Sequence, residues 1–207
     1  MTRPIPKNEE IPLNPKEIIV SKTDPQGVIT YANDVFIRVC GYSEQELVGS
    51  PHNIVRHPDM PRIAFKLMWD TIKQGKNFRA VVKNLAKDGR FYWVVTDFEP
   101  LYDAKSGKII QHTAYRMPAP RKAIAQMTPI YKKLCEIEKV SGMEGSLAYL
   151  NGFFAANNTN YSDFIDRLVK DSSGPMLKIF SFLKKCLKIN FADLFPQNFI
   201  FAVTNFI

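Results

Sequence analysis

The stretch that decides the fold is FRAVVKNLAKDGRFYWVVTDFEPLYDAKSGKIIQHTAYRM, residues 78–117. It is interrupted twice, at Lys87-Asp88-Gly89-Arg90 and at the loop from Asp103 to Lys108, by turn residues set between β-branched and aromatic runs. The spacing predicts three consecutive antiparallel strands, the middle one long and aromatic. Upstream, EIIVSKTD (17–24) closes on Asp24-Pro25-Gln26-Gly27 and VITYAN (28–33) resumes, which predicts a short hairpin. Three helical segments separate the two β blocks. Val35, Phe36 and Val39 have helical spacing before Gly41, and Ser43 with Glu46 forms a capping-box pair ahead of Gly49. Ile63, Phe65, Leu67, Met68 and Ile72 repeat near 3.6 residues and stop at Gly75. Between them SPHNIVRHPDMP (50–61) carries three prolines and predicts irregular backbone with brief helical turns. The order β-β-α-α-α-β-β-β predicts an α+β domain, a five-stranded antiparallel sheet with flanking helices on one side.

The flanks read differently. Residues 1–16 hold four prolines and predict an extended N-terminal leader. The domain then spans 17–118. After the Pro118-Ala119-Pro120-Arg121 linker, Ile130, Leu134 and Ile137 mark an amphipathic connecting helix within 119–140. Residues 141–207 form a helical, apolar extension. Its first part, 141–160, is rich in Gly, Asn and Ser and reads as a linker or loose hairpin. Two helices follow, Tyr161 to Lys170 and Met176 to Ile189, and then an apolar end broken by Pro196 and Asn198. That end could pack, pair with a partner, or lie peripherally on a membrane surface.

The whole chain of 207 residues is 45% hydrophobic and 23% charged, which excludes wholesale disorder, a collagen repeat and a coiled-coil rod. The net charge of +8 divides evenly, +4 over residues 1–120 and +4 over the remainder, so no basic stripe marks a nucleic-acid surface. Cys40, Cys135 and Cys186 are too widely spaced for a disulfide framework or a metal knuckle and fit a reducing, cytoplasmic compartment. No run of about 20 apolar residues predicts a membrane span.

The densest polar cluster is His52, Asn53, Arg56, His57 and Asp59. Zinc would need more ligands, and only His112 remains as a further imidazole. No G-x-S-x-G, H-E-x-x-H or glycine-rich phosphate loop accompanies it, so no enzymatic activity is expected. Arg56 can instead fork onto an anionic group, with the histidines and Asn53 along a pocket rim; a network that only stabilises the proline-rich loop is the alternative. Phe36, Phe65 and Trp69 from the helices, and Phe78, Tyr92 and Trp93 from the sheet, suffice to line a slot for a planar ring. Asn33 and Asn84 could read the edge of a heterocycle, although Asn33 also fits a helix N-cap.

From Thr23 to Met117 these residues resemble a PAS domain, and within that family the flavin-binding sensors of bacterial aerotaxis receptors. The runs that carry the resemblance are ITYANDVF, CGYSEQELVGSPHNIVRHPDMP, AFKLMW, VVKNLAKDGRFYWV and the final strand through Arg116. The RHPDMP stretch followed by a helix with Trp69 is specific to that subgroup; G-Y-S-E-x-E-L-x-G marks PAS domains generally. The resemblance implies non-covalent FAD near Asn33, Phe65, Trp69, Asn84 and Trp93, with His52, Asn53, Arg56, His57 and Asp59 needed for cofactor retention or signalling. The G-x-N-C-R-F-L-Q run of blue-light PAS photoreceptors is absent, so no covalent photoadduct is expected. The resemblance also implies a redox or energy-taxis sensor that relays to a methyl-accepting chemotaxis-type receptor or signalling module. The long heptad helices of such a module are missing, so the chain either docks on a separate receptor or is a piece of a longer product. Dimerisation through the leader and Ala123–Val140 is compatible with sensing. The rival expectation is a flavin-free PAS small-molecule sensor or interaction module, or a haem sensor with His52 or His57 as axial ligand.

Overall fold

A computed structural model of the chain describes residues 3–170; the expected helix at 176–189, the apolar end and Cys186 lie outside the described residues. The element order matches the expectation. Strands β1 (Ile19–Thr23) and β2 (Ile29–Ala32) form the hairpin, followed by helices α1 (Asp34–Cys40) and α2 (Glu44–Leu47), a 3-10 turn (His52–Val55) and helix α3 (Arg62–Ile72). Strands β3 (Phe78–Leu85), β4 (Phe91–Tyr102) and β5 (Ile109–Pro118) complete an antiparallel sheet in the order β2-β1-β5-β4-β3. Helices α4 (Arg121–Ala156) and α5 (Tyr161–Lys170) follow. None of the helices among the described residues is long and apolar enough to cross a membrane.

Local chemistry explains the turns. Asp24 Oδ1 accepts from the amides of Gln26 and Val28, both at 2.9 Å, folding the β1–β2 connection back on itself. Asn33 caps α1 by accepting from Phe36 N at 3.0 Å and also holds β1, accepting from Val20 N at 3.0 Å and donating to Ile18 O at 2.9 Å. The capping box of α2 is complete, Ser43 and Glu46 each accepting from the other's amide. The leader docks as an extended segment. Ile11 N donates to Phe91 O at 2.7 Å and Phe91 N to Glu9 O at 3.0 Å, pairing the leader in parallel with the start of β4.

Helix α4 extends beyond the expected connector. Gly142 (φ 64°, ψ −167°) breaks it into two arms, 121–141 and 143–156, and Ser146 Oγ returns to donate to Leu134 O at 3.4 Å. The expected linker at 141–160 is therefore helical through Ala156. Gly145 and Gly152 lower helix propensity and hide the signal, yet closely spaced Leu150, Phe153 and Phe154 still supply an apolar face. A side chain at 145 would meet Ser141 Cβ at 2.6 Å, so glycine permits the close return.

The sheet separates two regions. On the outer face Trp93 stacks on Tyr131 of α4 (6.5 Å, 5°), and the Tyr131 hydroxyl donates to Val81 O at 2.6 Å. Near the β3 edge Phe78 stacks on Tyr161 of α5 at 5.0 Å. The inner face meets α1, the 3-10 turn and α3, and encloses the cavity described next.

Candidate functional site

The inner face encloses a cavity of about 890 Å³. Alternation along each strand decides what faces it: Ser21 and Thr23 on β1, Val82 and Asn84 on β3, Thr96 and Phe98 on β4, and His112, Ala114 and Arg116 on β5. Helix α3 supplies the opposite wall through Phe65, Met68, Trp69 and Ile72, and the 3-10 turn and the residues flanking it supply Pro51, His52, Asn53, Val55 and Arg56. Gly27 permits Trp69 to approach, since a Cβ there would lie 2.8 Å from the indole.

The charge at the buried end is unusual. Arg116 is 2% exposed, and its guanidinium donates to Ser21 Oγ at 2.9 Å, to Ala114 O at 3.4 Å and to His52 Nε2 at 2.8 Å. Its hydrogen-bond partners are a hydroxyl, a carbonyl and an imidazole, and it forms no carboxylate salt bridge among the described residues. Burial pushes the guanidinium down to about 10. His52 must accept from the guanidinium, so its ring is neutral; burial, and then Arg116, push its pKa down to about 3. Phe36 stacks parallel to the imidazole at 5.8 Å and lies 5.5 Å from the guanidinium.

Three further polar atoms facing the cavity are buried without a hydrogen-bond partner: Asn84 Nδ2, Thr96 Oγ1 and His112 Nδ1. A neighbouring phenol, Tyr92, falls outside hydrogen-bond geometry with Asn84 and is itself unpartnered. Each such group costs about 1–3 kcal/mol to desolvate unmatched. His112 stands edge-on to Trp69 at 5.8 Å, and burial lowers its pKa, so it too is neutral. Planar apolar walls, one uncompensated buried cation and several orphan polar groups fit a planar heterocycle with acceptor atoms on its edge.

The expected site residues divide. His52, Asn53, Arg56, Phe65, Trp69 and Asn84 come together at the cavity. Asn33, His57, Asp59 and Trp93 do not line it. Asn33 is held as cap and strand tie. Trp93 faces α4 because it follows Tyr92 on one strand, and adjacent strand residues point to opposite faces. Of the six aromatics expected to line the slot, Phe65 and Trp69 do; Phe36, Phe78, Tyr92 and Trp93 do not, and Phe98 lines it in addition.

The same alternation separates Arg56 from His57. Arg56 bridges Asn84 on the edge of β3, directs its side chain to the cavity, crosses the Phe65 ring at 4.3 Å and donates to Met60 O at 3.0 Å. His57 lies edge-on to Phe91 at 6.0 Å instead, and its Nδ1 accepts from Asp59 N at 3.1 Å. Burial, and then Lys83, push His57 down to about 4 against the opposing Asp59. Burial raises the Asp59 carboxyl, but its 2.7 Å bond from Lys83 leaves it net lowered. His57 and Asp59 thus fix the loop that presents Arg56. Ser21, Thr96, Phe98 and Arg116 were missed in the sequence, and His112 was weighed only as a metal ligand. The i, i+2, i+4 series His112, Ala114, Arg116 on a predicted strand was the signal available.

Residues 29–115 match the model of the PAS fold. Over 133 residues the chain is 43% identical to the aerotaxis receptor of Escherichia coli (strain K12), covering 64% of this chain and 26% of that receptor. It is 30% identical over 108 residues to the bacterioopsin transcriptional activator of Halobacterium salinarum, covering 52% of this chain and 16% of the activator. It is 34% identical over 84 residues to the nitrogen fixation regulatory protein of Klebsiella pneumoniae, covering 41% and 17% respectively. The chain thus spans about a quarter or less of the length of these relatives. With the sheet order, the helices over its inner face and the cavity between them, residues 29–115 match the PAS fold, and the chain is similar to part of the aerotaxis receptor.

Proposed function

We propose that the cavity holds FAD non-covalently and that the domain reports redox or energy state to a chemotaxis-type signalling partner, a methyl-accepting receptor or module. The observation that carries this reading is Arg116, a buried cation with no carboxylate salt bridge among the described residues, lining one cavity with Asn84 and Thr96, whose Nδ2 and Oγ1 have no hydrogen-bond partner there. Similarity to an aerotaxis receptor supports the sensory role. FAD supplies reversible electron uptake, which adds negative charge to its ring. In this chain Arg116 offers that charge a fixed counter-ion, and neutral His52 transmits the guanidinium's position to Ser21 on β1. Asn84 can exchange its amide donor for its carbonyl acceptor when the protonation of a ring atom changes. Trp69 and Phe65 exclude water from the ring faces, which strengthens each of these interactions. Haem is less well served, because His52 Nε2 already accepts from Arg116 and His57 lies outside the cavity lining.

An absorbance spectrum of freshly purified full chain, before and after anaerobic reduction, tests the reading, with the released chromophore identified by mass. Flavin bands that bleach reversibly, with the mass of FAD, are expected. R116A should weaken FAD binding at least about tenfold, the worth of a charged hydrogen bond. A colourless protein that fails to take up added FAD would discard the flavin reading in favour of an interaction module.

A further inference from the structure

Helix α3 lacks a cap of its own. Pro61 precedes it and makes no side-chain capping bond, whereas the first amides of a helix need acceptors from outside. Two of them are satisfied from 75 or more residues away: Arg62 N and Ile63 N donate to the two carboxylate oxygens of Glu138 at 2.9 and 2.8 Å. The Arg62 guanidinium approaches the same carboxylate at 3.4 Å, and the Glu138 side chain is only 8% exposed. Glu138 sits on the first arm of α4, so a negative group on one helix meets the positive end of another. One turn earlier on the same arm, Cys135 Sγ donates to Asp59 O at 3.3 Å, in the loop that leads into α3. Just past the Gly142 turn, Met143 reaches the cavity itself. Helix α3 is the wall that carries Phe65 and Trp69.

We propose that Glu138 is a positioning residue for this cavity: it ties the α3 wall to the α4 hairpin, so that cavity occupancy and α4 packing bias each other. This rests on the FAD reading above. The coupling is reciprocal by linkage: if FAD favours the clamped arrangement, the clamp favours FAD by the same factor. A purely structural cap would behave differently, because a cap supplied locally at position 61 would replace it in every respect.

The test uses the full chain and four proteins: parent, E138A, E138Q, and E138A with P61D, which places a capping carboxylate beside α3 itself. FAD affinity is measured by flavin fluorescence, and hydrogen exchange of residues 121–156 is followed with and without FAD. FAD should slow exchange in the parent's α4, and E138A should weaken FAD about tenfold. E138Q, which keeps an acceptor but not the charge, should fall between them. Adding P61D should restore FAD affinity to E138A while leaving α4 exchange insensitive to FAD. Recovery of both properties by P61D would make Glu138 a cap only and overturn the proposal. FAD binding to the parent without any response in α4, or parental affinity in E138A, would also overturn it while leaving the flavin reading intact. Failure of the parent to take up FAD would remove both.

Discussion

Two arginines of one sheet, Arg79 half-buried and Arg116 buried, show how differently its faces are built. Arg79, on the outer face, donates to both oxygens of Asp97, at 2.9 and 3.1 Å, and to Asp166 of α5 at 2.9 Å. Burial alone would lower its pKa, yet the two carboxylates leave it net raised. Arg116, on the inner face, is more deeply buried, has no carboxylate salt bridge among the described residues, and is lowered to about 10. A charge placed for stability is neutralised within the fold; a charge left without its counter-ion is available to something that enters. Among the described residues three orphan polar atoms, on Asn84, Thr96 and His112, gather at the cavity, whereas those of His57, Tyr92 and Tyr161 lie outside its lining.

The comparison breaks if the two arginines respond alike to the same substitution. In FAD-free protein R79M should destabilise by about 3 kcal/mol, because it removes both guanidinium bonds from the buried Asp97 carboxylate. R116M should instead stabilise by about 1 kcal/mol, since it removes an uncompensated charge. Urea midpoints at matched slopes give both signs. R79M should leave FAD affinity near the parental value, and a large loss there would erase the functional distinction between the faces.

The histidines sharpen the contrast through pH. His52 and His57 are both held neutral, with pKa values pushed down to about 3 and about 4. Their folded values lie below the unfolded value of about 6.5, so their stabilisation is complete above that pH and is lost as pH falls toward the folded values. Each adds a slope of about 1.4 kcal/mol per pH unit in its window. H57Q should remove one such slope with or without FAD. The slope from His52 should change when FAD is bound, because its partner Arg116 faces the cavity. Urea unfolding at a series of pH values, in apo and FAD-loaded protein, separates the two.

The smallest effect is expected at Gly27. G27A imposes a left-handed backbone (φ 89°) and a contact 2.8 Å from the Trp69 ring. It should cost about 1 kcal/mol in stability and shift the near-ultraviolet circular dichroism of the indole. An unchanged indole signal would show that Trp69 is not seated against the turn.

Turn chemistry made the fold legible. Asp24 to Gly27 and Lys87 to Arg90 delimit the strands, Ser43 with Glu46 caps a helix, and prolines at 51, 58 and 61 limit the stretch between them to a brief helical turn. Half of the candidate site was equally accessible, because His52, Asn53 and Arg56 are clustered in sequence. The rest depended on strand parity. Tyr92 and Trp93 cannot both face one cavity, and Arg56 and His57 diverge for the same reason. Arg116 escaped notice because nothing in composition says that a strand arginine will be buried without a partner. The second arm of α4 was obscured by Gly145 and Gly152, and the role of Gly145, close approach to the first arm, exists only in three dimensions.

The placement of β1 beside β5 bears on the kinetics of folding. Ser21 and Arg116 are separated by 95 residues, so their contact requires closure of a long loop, whereas β3, β4 and β5 pair through short connections. The three-strand meander is expected to form early and the β1–β5 seam late. Since Ser21 and Arg116 stand on opposite sides of that seam, the anion-seeking end of the cavity exists only after the slowest pairing is complete. A nascent or half-assembled chain therefore offers no competent site, and ligand capture becomes a selective marker of molecules that have finished folding.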